Sequence, residues 1–158
     1  MPEKSRSLSR RLSVVLQPQE LELRTWIQMV RTLGRMERAL EQALSVHGLS
    51  LPQFDVLATL AMGEGISQQE LAERLLVTKG NVCGLLGRIE SAGWIERRPD
   101  DKDRRANRLF LTSSGRDLLA KAIPAHKAIL SRAMAALQPP EIQTLHQLLD
   151  RLEDGTAA

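Results

Sequence analysis

Cysteine is nearly missing: Cys83 is the only one in 158 residues. One thiol cannot close an internal disulfide, which fits a reducing cytoplasm and excludes a disulfide-stapled secreted scaffold. Long apolar runs are missing too. No stretch reaches the roughly 18 apolar residues of a membrane span, and the N-terminus lacks the apolar core of a signal peptide. A cytoplasmic chain with no membrane partner is expected. The histidines, His47, His126 and His146, sit in different segments without metal-ligand spacing, although His146 and Asp150 share a helix face. Cys83 has no histidine near it in sequence to activate a thiol, and there is no P-loop, GxGxxG or GxSxG. No catalytic residue, metal site or cofactor is expected, and so no enzyme.

What is present suits one domain with a substantial core, at 42% hydrophobic content. The net charge of +3 is unevenly spread: +3 over residues 1–18, −3 over 19–77, +3 over 78–108 and zero over 109–158. Positive charge collects in an N-terminal arm and in one internal segment, the asymmetry of a phosphate-binding surface. The arm, 1–18, is rich in Ser and Arg and is expected to be flexible, either an untethered tail or a contact to DNA backbone.

The internal segment carries the most specific pattern. At about 100° per residue, Val82, Leu85, Leu86 and Ile89 share one side of a helix. Opposite them stand Gly80, Gly84 and Gly87, flanked by Cys83 on one edge and by Asn81 and Arg88 on the other. Three helical glycines cost on the order of 3 kcal/mol, so close approach of another molecule or element is implied. Two occupants are open: a second helix packed on Gly80 and Gly84, or a DNA major groove reached by Thr78, Asn81, Cys83 and Arg88.

The neighbouring segments favour the groove. Ser67 and Glu70 form a capping box before a short helix with Leu71, Ala72 and Leu75 as its apolar face. A turn at 76–78 leads to Thr78 as the next N-cap, giving a helix-turn-helix. Gly93 stands where a C′ glycine belongs. Residues 94–98 and 108–112 then flank Pro99-Asp100-Asp101, a hairpin with a long basic tip. The pattern is a winged helix-turn-helix over about 50–112.

Helices are expected on both sides of it. A long one runs over 19–46 with Trp26, Met29, Leu33, Met36, Leu40 and Leu44 at three- and four-residue spacing, ended by His47-Gly48. Ser50, with Pro52 in the first turn, starts a second through Met62 that uses Phe54, Leu57 and Leu60 in the core. Ile66 begins a short strand against the wing. Thr112 caps a helix to about Leu137, kinked at Pro124, and after Pro139-Pro140 a last helix shows Ile142, Leu145, Leu149 and Leu152 in a narrow seam. Residues 19–46 and 113–153 thus offer more apolar surface than a small winged unit can bury, and a homodimer is expected, within a domain spanning 19–154.

The run SQQELAERLLVTKGNVCGLLGRIESAGWIERRPDDKDRRANRLFLTSSG resembles the winged helix-turn-helix of the MarR family of bacterial transcriptional regulators, and the flanking helices resemble its dimerisation region. The wing carries the family's D-x-R as Asp103 and Arg105. The resemblance implies that Arg105 enters the minor groove while Asp103 helps hold the wing. Cys83 and Gly84 depart from the polar and longer side chains more usual there. The expected protein is mainly α, a sequence-specific double-stranded DNA-binding regulator: a repressor that binds a pseudo-palindromic operator as a homodimer and responds to a small aromatic or anionic ligand whose site the sequence does not mark. The DNA-binding residues expected are Thr78, Lys79, Gly80, Asn81, Cys83, Gly84, Arg88, Arg97, Arg98, Lys102, Asp103, Arg104 and Arg105. The competing class is a winged helix that binds protein through the same stripe and wing, without specific DNA binding.

Overall fold

Hydroxyl side chains set the starts of four helices. Ser50 and Gln53 exchange hydrogen bonds as a capping box at α2, Leu51–Met62, and Ser67 and Glu70 do the same at α3, Gln68–Arg74. Thr78 accepts from Asn81 N at the start of α4, Lys79–Ser91, and Thr112 accepts from Gly115 N at α5, Ser113–Met134. Each such cap is worth about 1 kcal/mol. The structure, a computed structural model, describes residues 21–100 and 107–156, with Lys79 described for its backbone alone. The basic arm and Lys102, Asp103, Arg104 and Arg105 lie outside the described residues.

The first described helix, α1, is Leu21–Ser45, and the last, α6, is Pro139–Thr156. Between them, β1 (Ile66–Ser67), β2 (Ile95–Pro99) and β3 (Asn107–Leu111) form an antiparallel sheet in the order β1-β3-β2. Ile66 pairs with Leu109 and Ile95 with Leu111. These four side chains are buried with Leu57 and Leu60 of α2, Leu71 of α3, Val82, Leu86 and Ile89 of α4, and Leu119 and Ala122 of α5. Period-two alternation in the strands and the apolar sides of the helices converge on this one core.

Several expectations are corrected in detail. The fifth helix ends at Met134 rather than near Leu137, with Ala135 as C-cap. Pro139 and Pro140 open α6 instead of preceding it, because a first-turn residue has no intrahelical N–H bond to lose. Trp26 and Leu33 on α1 are exposed, as the expectation of uncovered apolar surface on the flanking helices requires, while Leu40 and Leu44 are buried. In α6 no residue is buried, and Leu145, Leu148, Leu149 and Leu152 are all exposed.

Two joints hold the winged unit to its neighbours. Glu64 pairs with Arg116 of α5 and accepts from Leu111 N at 3.0 Å. At the wing's exit, Thr112 Oγ1 and Ser114 Oγ both donate to Gly93 O at 2.6 Å, and Thr112 N donates to Trp94 O. Gly115 fits against this turn so tightly that a Cβ there would lie 2.0 Å from Trp94 O.

Three helices end in the same paired hydrogen bonds, in which the residue after the C-cap bonds two positions before the cap and its successor bonds three before it. At α1 and α4 that residue is Gly48 or Gly93, with φ of 72° and 73°. At α3 it is Leu76, with φ of 53° and 88% exposure. A left-handed leucine costs roughly 1–2 kcal/mol, and the protein supplies no packing to offset it. Leu76→Gly is therefore expected to stabilise the fold by up to about 1 kcal/mol, since the glycine's extra unfolded-state entropy takes back part of the gain. Urea unfolding checks it: a higher midpoint with unchanged slope is expected, and a lower midpoint would mean that the leucine side chain is held.

Candidate nucleic-acid interface

The core decides which side of α4 faces out. Val82, Leu86 and Ile89 are 1%, 0% and 0% exposed, so Gly80, Asn81, Cys83, Gly84 and Arg88 are left exposed and Gly87 half-buried. A Cβ added at Gly80, Gly84 or Gly87 would meet nothing within 4 Å. Among the described residues, then, no second helix packs on the stripe, and its glycines face open space. The Thr78 N-cap starts this exposed face, and the N–H groups of the first turn of α4 stand at its end.

The arginines of β2 are less free than their charge suggests. Arg97 Nε lies 3.1 Å from Glu90 Oε2, at an angle that makes an ion pair rather than a hydrogen bond. Arg98 pairs with Glu96 and lies 4.3 Å over the Phe110 ring. Arg88 has no acidic partner among the described residues. Cys83 is a free, exposed thiol. The structure thus brings Thr78, Gly80, Asn81, Cys83, Gly84 and Arg88 onto one face and ties Arg97 to Glu90 of the same helix, while Arg98, on the other side of β2, turns to Glu96 and the Phe110 ring.

Sequence reasoning missed the groups that hold the wing's root. Arg108 binds Asp100, Glu70 and the Gly65 carbonyl. Asp100 is therefore a residue that holds the wing's root, whereas Asp103, expected in that role, lies outside the described residues. The signal was present, since Asp100 and Arg108 bracket the basic tip, but only the side-chain contact in the folded wing shows that they meet. Among the described residues no group of His, Cys, Asp and Glu could hold a metal ion, and His146 makes only an exposed contact with Asp150 at 3.7 Å. No described helix is long and apolar enough to cross a membrane.

Electrostatics follow these contacts. The Arg116 hydrogen bond holds the Glu64 carboxyl below the usual range, and the Ser67 backbone N–H does the same for Glu70. Burial pushes Asp55 up, against the opposing pull of His126, which stacks on Phe54 at 4.4 Å.

Comparison with known proteins agrees with this geometry. The MarR family model matches residues 47–106. The transcriptional activatory protein BadR of Rhodopseudomonas palustris is 30% identical over 87% of this chain and 85% of its own length. The chain belongs to the MarR family. Its fold matches a mutant MarR from E. coli complexed with operator DNA, at a TM-score of 0.76 and 27% identity, over 84% of this chain and 94% of that one. It also matches the transcriptional repressor CouR bound to a 23-mer DNA duplex, at a TM-score of 0.78 and 26% identity, over 87% and 98%. This MarR-family chain is a transcriptional regulator of the winged helix-turn-helix type.

Open space at Gly84 makes its substitution informative. Ala is favoured over Gly in a helix interior by roughly 1 kcal/mol, so Gly84→Ala is expected to raise the melting temperature while weakening DNA binding. A lower melting temperature with normal DNA binding would return the stripe to internal packing.

Acid titration tests the Glu64 joint. Its carboxyl titrates lower in the folded than in the unfolded chain, so its contribution is present above the unfolded value, about 4.3, and is lost as pH falls through the folded one. Asp55, raised by burial, acts in the opposite sense, so the comparison must be between variants. Wild type is expected to be more stable than Glu64→Gln at neutral pH, with the gap closing below about pH 4. A gap independent of pH, in urea midpoints, would remove ionisation from the joint.

Proposed function

We propose that two copies of this chain bind a pseudo-palindromic DNA operator, each placing the glycine stripe of α4 in a major groove and its wing tip against the adjacent backbone. The observation that carries the reading is the bare stripe. Three helical glycines face open space beside an exposed Asn81 and Arg88, on the second helix of a helix-turn-helix whose structural relatives include proteins solved on DNA. Backbone approach and base-edge contact explain a glycine ridge that internal packing does not. Thr78, Lys79, Gly80, Asn81, Cys83, Gly84 and Arg88 are the groove-facing set. Arg97 and Arg98 flank it, and Lys102, Asp103, Arg104 and Arg105 complete it at the tip.

The second copy is called for by the terminal helices. Leu21, Trp26 and Leu33 of α1 and Leu145 and Leu149 of α6 line an apolar groove of about 1000 Å³, and no residue of α6 is fully buried within its own subunit. Apolar exposure on this scale marks an interface. A two-fold dimer sets its recognition helices roughly 34–36 Å apart, one turn of DNA. Where the operator lies relative to a promoter sets the sign of regulation: CouR is named a repressor and BadR an activatory protein. Repression, with release by a small aromatic or anionic ligand, is the reading the family resemblance favours.

Truncation after Leu137 is expected to convert a tight dimer into monomers or aggregates that bind DNA poorly. Sedimentation reads the first and titration of duplex DNA the second. In the intact protein, log affinity should fall steeply with log salt, because phosphate contacts release counterions. A truncated protein that remains a tight dimer would sink the interface. A flat salt response would favour the protein-binding alternative.

A further inference from the structure

Strand pairing at the wing's root creates a conflict of charge. Arg98 and Arg108 are directly opposed across β2 and β3, and like charges in that position repel. Different groups claim each of them. Arg98 turns to Glu96 and the Phe110 ring. Arg108 turns to three acceptors: its Nε donates to Asp100, and its Nη1 donates to Glu70 Oε2 at 3.0 Å and to Gly65 O at 3.3 Å.

These acceptors come from separate parts of the winged unit. Asp100 follows the last residue of β2, where the tip departs, and Arg108 is the second residue of β3, where it returns. Gly65 precedes β1, and Glu70 lies in the first turn of α3. The same Glu70 oxygen also accepts from Ser67 N at 2.7 Å, so one carboxylate serves both the cap of α3 and the wing. Asp100 is 8% exposed, and with Thr59 it makes up the buried polar residues among those described.

We propose that Arg108, with Asp100 and Glu70, is a positioning group that fixes the wing's angle on the helix-turn-helix, and that it takes no DNA phosphate although it lies in the basic segment. To reach a phosphate, Arg108 would have to give up all three acceptors at once, and an exposed ion pair returns little in exchange. The planar guanidinium fork suits the three acceptors, where a lysine ammonium would act as a single point charge. Neighbouring charges agree: Asp100 raises the Arg108 pKa, and Arg108 helps to lower that of Glu70. The basic charge of 78–108 therefore divides into groups that face DNA and one that sets their geometry.

The inference rests on the proposed DNA binding, and the test separates the two. Affinity for a labelled duplex of random sequence is measured by anisotropy over a range of salt, at a temperature where circular dichroism shows each variant folded. Simple electrostatics says that Asp100→Asn removes a negative charge near a polyanion and should tighten binding. Positioning says that it should weaken binding by about tenfold. Arg108→Lys, which keeps the charge, is expected to weaken binding nearly as much as Arg108→Met. An Asp100→Asn protein that binds as tightly as wild type or tighter would overturn the proposal. So would an Arg108→Lys protein with wild-type affinity. A wild type that shows no salt-dependent binding would sink the functional reading itself.

Discussion

Val82, Leu86 and Ile89 enter the core between α2, α3 and the sheet, and their burial is what orients α4. Removing three such side chains from water is worth roughly 1.5–3 kcal/mol each. That exceeds the order of 3 kcal/mol which three helical glycines cost, so the helix can carry a bare outer face and still hold its place. Rotating α4 by one position would bury Cys83 and expose Val82. The outward stripe is in this sense set by the inward one.

Charge is organised by the same economy. Glu90, Glu96 and Asp100 each hold an arginine that the sequence counts as part of a basic surface. What remains unpaired among the described residues of α4 is Arg88. Net charge by segment therefore points to the right region without saying which cations a polyanion meets, and a count of arginines would overstate the phosphate contacts.

The elements that depended on local chemistry were legible in the sequence. The Ser67–Glu70 capping box, the helix start at Ser50, the N-caps at Thr78 and Thr112 and the turn at Gly93 involve residues within a few positions of each other, and the structure has them all. The buried and outward sides of α4 follow from one periodicity. Features that need two distant segments to meet were not legible. Asp100 and Arg108 are joined by a side-chain contact in the folded wing, Glu64 and Arg116 by the docking of a loop on α5, and Gly115 by close approach to the Trp94 carbonyl. Leu76 was hidden for another reason: leucine carries no signal for a left-handed turn, and only the neighbouring hydrogen bonds impose it.

The close fit of Gly115 on the Trp94 carbonyl joins the start of α5 to the turn that follows α4, the point about which the two would tilt together. At 1.5 Å per residue, α5 is an arm about 30 Å long and α4 one about 20 Å long. A sideways shift of about 3 Å at the far end of α5 is then a tilt of about 6°, and the same tilt swings the start of α4 by about 2 Å. A hydrogen bond does not survive a stretch of that size. In a lever of this length, a small push at the far end of α5 would be enough to displace the first turn of α4.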